Sequence, residues 1–175
     1  MRLRVFVVIL LVCEIELLAA RPQVRAGSPE AKMFDQITAE TSPETKLEMI
    51  GSFEKEFPQS KILSMVYLMA VDVYRAKQDR VKIAEFAEKA LGADNTNVTA
   101  MMVLARNHAM DARNVDRAIE LAQRAVDRMA LLRTEQAPTG YTAAQWEEYV
   151  RTTEEAAKQI LGYARAIKAR ETISH

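Results

Sequence analysis

Apolar residues recur along most of this chain at steps of three and four, the spacing that keeps them on one face of an α-helix. Beyond residue 26 that rhythm predicts seven helices. The first, Glu30 to about Thr38, carries Met33, Phe34 and Ile37 on one stripe. Ser42-Pro43 supplies an N-cap and a proline at the first helical position, and Pro58 ends the helix they start at Phe57. Its buried edge is Leu47, Ile50, Phe53 and Phe57. A third helix runs from Ser60 to Lys77 through Leu63, Val66, Ala70, Val73 and Tyr74, and Asp79 caps a fourth that ends near Gly92. The fifth begins near Asp94 or Asn95, the chain turns around residues 112–114, and the sixth continues to about Leu132. A loop at 133–141 holds Pro138 and Gly140. Thr142 with Gln145 three residues on forms a capping box, opening a last helix to about Arg170. Trp146, Val150, Thr153, Ala157, Ile160, Ala164 and Ile167 make its stripe.

Within this series, Leu63 to Met129 repeats itself at an offset of 35 residues. Ala70 recurs as Ala105, Glu85 as Glu120, Ala87 as Ala122 and Ala90 as Ala125, while Lys82 and Lys89 return as Arg117 and Arg124. A period of that length indicates a two-helix unit stacked on its own copy. Helix axes approach to roughly 8–10 Å only where contact positions are small. Ala70 and Ala105 lie mid-way along the first helix of each copy, and Ala90 and Ala125 late in the second. These alanines are therefore expected in the seams.

Composition agrees with an all-helical domain. Only five glycines and five prolines interrupt 175 residues, 49% of which are hydrophobic and 27% charged. Twenty-four basic residues balance 24 acidic ones, which leaves no electrostatic footprint for nucleic acid. The single cysteine, Cys13, cannot form an internal disulfide. Residues 1–26 read as a secretory signal: Arg2 and Arg4 at the start, an apolar run from Val5 to Val12, and a small-residue exit at Val24-Arg25-Ala26. Glu14 and Glu16 are unusual there, and an uncleaved anchor is the rival reading, although eight apolar residues are short for a span. Leu10-Leu11-Val12-Cys13 is similar to a lipoprotein box, but the Val before the Cys and the Glu after it argue against lipidation. Cleavage after Ala26 would remove four Arg and two Glu, leaving 20 basic against 22 acidic residues.

The repeated units resemble tetratricopeptide repeats. Each first helix carries a hydrophobic-small pair, Met69-Ala70 and Leu104-Ala105, and each second helix has two small or apolar residues seven apart, Ile83 with Ala90 and Ala118 with Ala125. Phe57-Pro58-Gln59-Ser60 is similar to the proline-containing junction between such units, and Pro138 to Gly162 resembles the linker and next first helix of exported bacterial members. The chain departs from the family in one extra residue at each inter-helix turn, in Asn95 where a closing proline is usual, and in Val66 and Met101 where a large aromatic is usual. The fold implied is all-α, a right-handed α-solenoid of stacked antiparallel helix pairs with a long C-terminal capping helix. Its parts would be a degenerate unit at 30–58, units at about 61–94 and 95–132, the loop at 133–141 and the helix at 142–171. Leu161-Gly162 would start a further, incomplete repeat, so the last helix is either a terminal cap or the first helix of another unit.

The resemblance implies a concave face lined by the first helices. Its positions would be Ser64, Tyr67, Val71, Tyr74 and Arg75 in the first copy and Thr99, Met102, Arg106, Ala109 and Met110 in the second. Tyr, Arg and Met suit peptide capture; the alternative is that Tyr67 and Tyr74 pack as core. The paired Lys and Asn that clamp a chaperone's terminal carboxylate in some members are missing from this face. Chemistry finds little footing. His108 and His175 are the only histidines, too few for a metal cluster or a catalytic triad, and no glycine-rich phosphate loop is present. Glu85, Glu88, Glu120, Glu147, Glu148, Glu154 and Glu155 sit among Lys and Arg at helical spacing and read as a solvated face. The sequon Asn97-Val98-Thr99 lies at a helix start and reads as coincidence.

The expectation is a non-catalytic, cofactor-free scaffold, exported to the periplasm or secreted, that binds a protein or peptide and no nucleic acid. It would touch a membrane only through an uncleaved N-terminal segment. The alternative is a structural subunit, a homo-oligomer or part of a larger complex, packing through the Trp146 helix; a carboxylate hydrolase is the remote third option.

Overall fold

The computed structural model describes residues 25–112 and 114–173. The expected signal segment, apart from Arg25 and Ala26, lies outside them. Among the described residues there are seven α-helices and no strand, an all-α architecture. They are α1 (Pro29–Ala39), α2 (Pro43–Glu56), α3 (Leu63–Ala76), α4 (Arg80–Ala93), α5 (Val98–Asp111), α6 (Val115–Leu132) and α7 (Ala143–Ile173). The chain divides into two compact units, with the boundary between Ala100 and Met101 in the first turn of α5.

In the first unit, the starts of α1 and α2 can each be traced to a capping side chain. Ser28 Oγ accepts from the Ala31 amide at 3.1 Å, and Pro29 fills the first helical position, where no amide hydrogen is needed. Ser42 and Pro43 repeat that arrangement at α2, with the Glu40 carboxylate accepting from the Thr41 and Ser42 amides at 2.7 Å to shape the connection. Phe34 and Ile37 of α1 are buried, as are Ile50 and Phe53 of α2; Met33, Leu47 and Phe57 are only half-buried.

Helix α3 starts three residues after the expected Ser60. The Ser60 side chain accepts from the Ile62 amide at 3.1 Å and its carbonyl accepts from the Leu63 amide, forming a turn that delays the helix. The Ser60 hydroxyl also donates to Glu30, tying the entries of α1 and α3 together. At its far end α3 closes with Gln78 at φ 57°. The Asp79 amide reaches back to the Tyr74 carbonyl and that of Gln78 to the Arg75 carbonyl, the paired bonds of a Schellman end without its usual glycine. Asp79 then caps α4 through the Lys82 amide at 3.0 Å. The turn is thus both the stop of one helix and the start of the next.

Helix α5 likewise begins later than expected. Asp94 accepts from both the Thr96 amide and hydroxyl, at 2.9 and 2.7 Å, and this side-chain turn displaces the helix start to Val98. Asn97 is the residue that caps it, accepting from the Ala100 amide at 2.9 Å. Its Nδ2 donates to Ser64 Oγ at 2.9 Å, and Ser64 donates to the Ala90 carbonyl at 2.8 Å. One buried hydroxyl therefore links the entry of α3, the end of α4 and the cap of α5.

In the second unit α6 and α7 run antiparallel, as their cross-links show: Asp116 to Lys168 at 2.9 Å near one end, Gln123 to Arg165 at 3.1 Å, and Arg133 to Glu154 at the other end. Ala109 of α5, Ala118 of α6 and Ala164 of α7 form one buried cluster, flanked by Ile119 and Ile167. Three helices can meet there because the side chain each contributes at the centre is a methyl group. The capping box forms as expected, with the Gln145 amide donating to Thr142 Oγ1 at 3.2 Å and the Thr142 amide to Gln145 Oε1 at 3.0 Å. Along α7 the expected stripe is buried from Trp146 to Ala164, and Ile167 is half-buried.

The alanines that recur across the repeat, Ala70, Ala87, Ala90, Ala105, Ala122 and Ala125, are all 0% exposed. The matched alanines are thus equally buried, each within its own unit.

Candidate functional site

The residues expected to line a binding face separate by burial. Ser64, Tyr67, Val71, Thr99, Met102 and Ala109 are buried, Tyr74, Arg75 and Arg106 are half-buried, and Met110 is exposed. Ser64 is committed to the hydrogen bonds just described. Arg75 pairs with Asp72 one turn away at 2.6 Å.

The two tyrosines of α3 are organised by a residue that the repeat pattern did not single out. Phe86 of α4 stacks on Tyr74, with ring centroids 5.3 Å apart and planes at 28°, and meets Tyr67 at 6.2 Å in a tilted arrangement. Tyr67 and Tyr74 thus pack on Phe86 within their own hairpin, and Tyr67 also meets Glu54 of α2. The Lys89 ammonium lies 5.4 Å from the Tyr67 centroid and 5.2 Å from that of Phe86, on the ring faces that attract cations. It also contacts both Glu54 oxygens of α2, at 3.1 and 3.2 Å. Burial, followed by the hydrogen bond and charge of Glu54, pushes the Tyr67 phenol up to about 12, so it stays protonated and donating through the physiological range. The result is a surface patch on α2, α3 and α4 built from one carboxylate, one ammonium and three rings. Glu54 and Lys89 are 35 residues apart and both lie late in their helices, α2 and α4.

A second aromatic group opens α7. Trp146 stacks on Tyr149 at 5.3 Å and 20°, and Tyr141 meets Trp146 edge-on at 5.6 Å. Trp146 is only 9% exposed, and its Nε1 has no hydrogen-bond partner, nor does Thr153 Oγ1 two turns further along the same stripe. A buried hydroxyl without a partner is costly. Thr153→Val is therefore expected to be neutral or to stabilise the protein by up to about 1 kcal/mol, measured by urea denaturation.

Next to Thr153, the Glu154 side chain is only 8% exposed and is bracketed by Lys158 one turn on and by Arg133 from the loop after α6. The hydrogen bond from Lys158, with the charges of Arg133 and Lys158, holds its carboxyl below the ordinary value of 4.5. A depressed folded pKa stabilises the fold above the unfolded value and loses that contribution as pH falls through the folded one. Melting temperature should accordingly fall as the solution is taken below pH 4.5, and Glu154→Gln should flatten that decline.

Among the described residues no group of three or more His, Cys, Asp or Glu side chains is placed to hold a metal ion, and no helix is long and apolar enough to cross a membrane. The carboxylates of α4, α6 and α7 are largely in ion pairs along their own helices: Glu85 with Lys82, Glu120 with Arg117, and Glu148 and Glu155 with Arg151. No protein-family model, curated protein or solved structure compared with this chain gives a significant match.

Proposed function

We propose that this protein is a non-catalytic interaction scaffold, an exported α-solenoid of tetratricopeptide type whose first helices present a binding face to a protein or peptide. The observation that carries the reading is the set of recurring alanines, all fully buried, at matching places in two copies of one helical hairpin. Small residues at those places are what stacked hairpins need. On α3 the accessible part of the face is Tyr74 with Arg75, and on α5 it is Arg106 with Met110. These side-chain types recur at binding hot spots and adaptable interfaces. The alternative, a structural subunit that assembles through the Trp146 helix, is less favoured, because the Trp146 ring at the start of that helix is packed by Tyr141 and Tyr149 of its own chain.

The test is capture of a partner from the cell envelope of the source organism by the domain beginning at Gly27, at low salt. A specific partner, lost when Tyr74, Arg75, Arg106 and Met110 are all changed to alanine in a protein that keeps its helical signal, is the expected result. An empty capture with folded protein would overturn the reading.

A further inference from the structure

The patch of Glu54, Tyr67, Phe86 and Lys89 has a property that packing alone does not explain. In the second copy, the positions matching Tyr67, Phe86 and Lys89 are Met102, Leu121 and Arg124. Met102 and Leu121 are buried, and Arg124 turns to Glu120 on its own helix at 3.6 Å. A hairpin of this type therefore packs with aliphatic side chains and needs no aromatic rings there. In the first copy two rings and a carboxylate instead converge on one ammonium, the combination by which proteins recognise ligand cations. The patch reaches solvent at its charged groups, the Lys89 and Glu54 side chains being each 37% exposed, while Phe86 is half-buried and Tyr67 is 5% exposed. Lys89 reaches it on a flexible four-carbon stem.

We propose that Glu54, Tyr67 and Phe86 form a binding site for an alkylammonium group, that Lys89 is its internal occupant, and that a lysine side chain of a partner protein takes the place of Lys89. Glu54 then accepts hydrogen bonds from the incoming ammonium, while the faces of Tyr67 and Phe86 hold its charge and its last methylene groups. The inference rests on the scaffold reading for its biological partner, but the site can be probed without one.

The experiment uses the full chain and its Lys89→Ala variant, titrated with n-butylammonium chloride and, as the neutral counterpart, 1-butanol. The Tyr67 and Phe86 ring protons are followed by NMR. Lys89→Ala should show saturable shifts with n-butylammonium, at least about tenfold stronger in affinity than the unaltered protein, and no saturable response to 1-butanol. Adding Glu54→Gln to Lys89→Ala should weaken binding by about tenfold. No saturation in a Lys89→Ala protein of undiminished helicity, or an equal response to 1-butanol, would overturn the proposal; Lys89→Gln serves the same test if the alanine variant does not fold. A site that fails while partner capture succeeds removes this inference alone. Capture that fails while the site binds removes the scaffold reading.

Discussion

Truncating Phe53 to alanine is expected to lower the stability of the first unit by about 3–5 kcal/mol, the range for emptying a fully buried aromatic site. Phe53 is 0% exposed, its ring lies 5.1 Å from that of Phe57, and the helix that carries it packs against α3. The cavity would open beside the Phe57 ring, in the core of the first unit. Because small cooperative units are stable by only about 5–15 kcal/mol in total, a loss of this size should be visible as a large drop in denaturation midpoint. The measurement also decides whether α1 and α2 belong to the unit or are an appendage. If they belong, α3 and α4 lose protection from hydrogen exchange together with α2. If α3 and α4 keep their protection while α2 loses its own, the pair is not part of the cooperative structure.

The second large effect is expected at the alanines. Ala70→Leu would drive three extra carbons into a position that is 0% exposed, and overpacking of this kind costs about 1–3 kcal/mol. For a unit of this size each kcal/mol is worth roughly 4–8 °C in melting temperature. Ala105→Leu, at the matching place in the second copy and equally buried, should behave in the same way. Ala76 is the control, because it lies in α3 but is exposed, and leucine there should change the midpoint little. A similar response at Ala70 and Ala76 would mean that the small residue at Ala70 is incidental to the packing.

Helix number, the buried stripes and three of the caps were legible in the sequence, since each rests on local physics: a period of 3.6, a proline at the first helical position, or a hydroxyl ahead of an amide. The entries to α3 and α5 were not. At Ser60 and Asp94 the side chains satisfy nearby amides in a turn, and a residue that is a good helix cap is equally good at that competing arrangement. Asn97 illustrates the same limit from the other side. It could be read as half of a glycosylation sequon, whereas its side chain caps α5 and bonds to Ser64, a residue 33 positions away that no local pattern connects to it.

The candidate face was legible only in part. Assigning positions from the repeat pattern identified α3 and α5 as the helices of interest, but a helix of a small protein can be enclosed on nearly every side. That is why Ser64, Tyr67, Val71, Thr99 and Met102 are buried while Tyr74, Arg106 and Met110 retain contact with solvent. The ammonium held by Tyr67, Phe86 and Glu54 depends on three helices, and no local pattern in the sequence joins them.

The proposal that the two hairpins nest through their alanines is tested most directly by nuclear Overhauser contacts between alanine methyl groups in a selectively labelled protein. Nested hairpins should give cross-peaks that join methyl groups of the first copy, Ala87 and Ala90 above all, to methyl groups of α5, Ala105 among them. Cross-peaks confined within each hairpin, with none joining one copy to the other, would contradict the account.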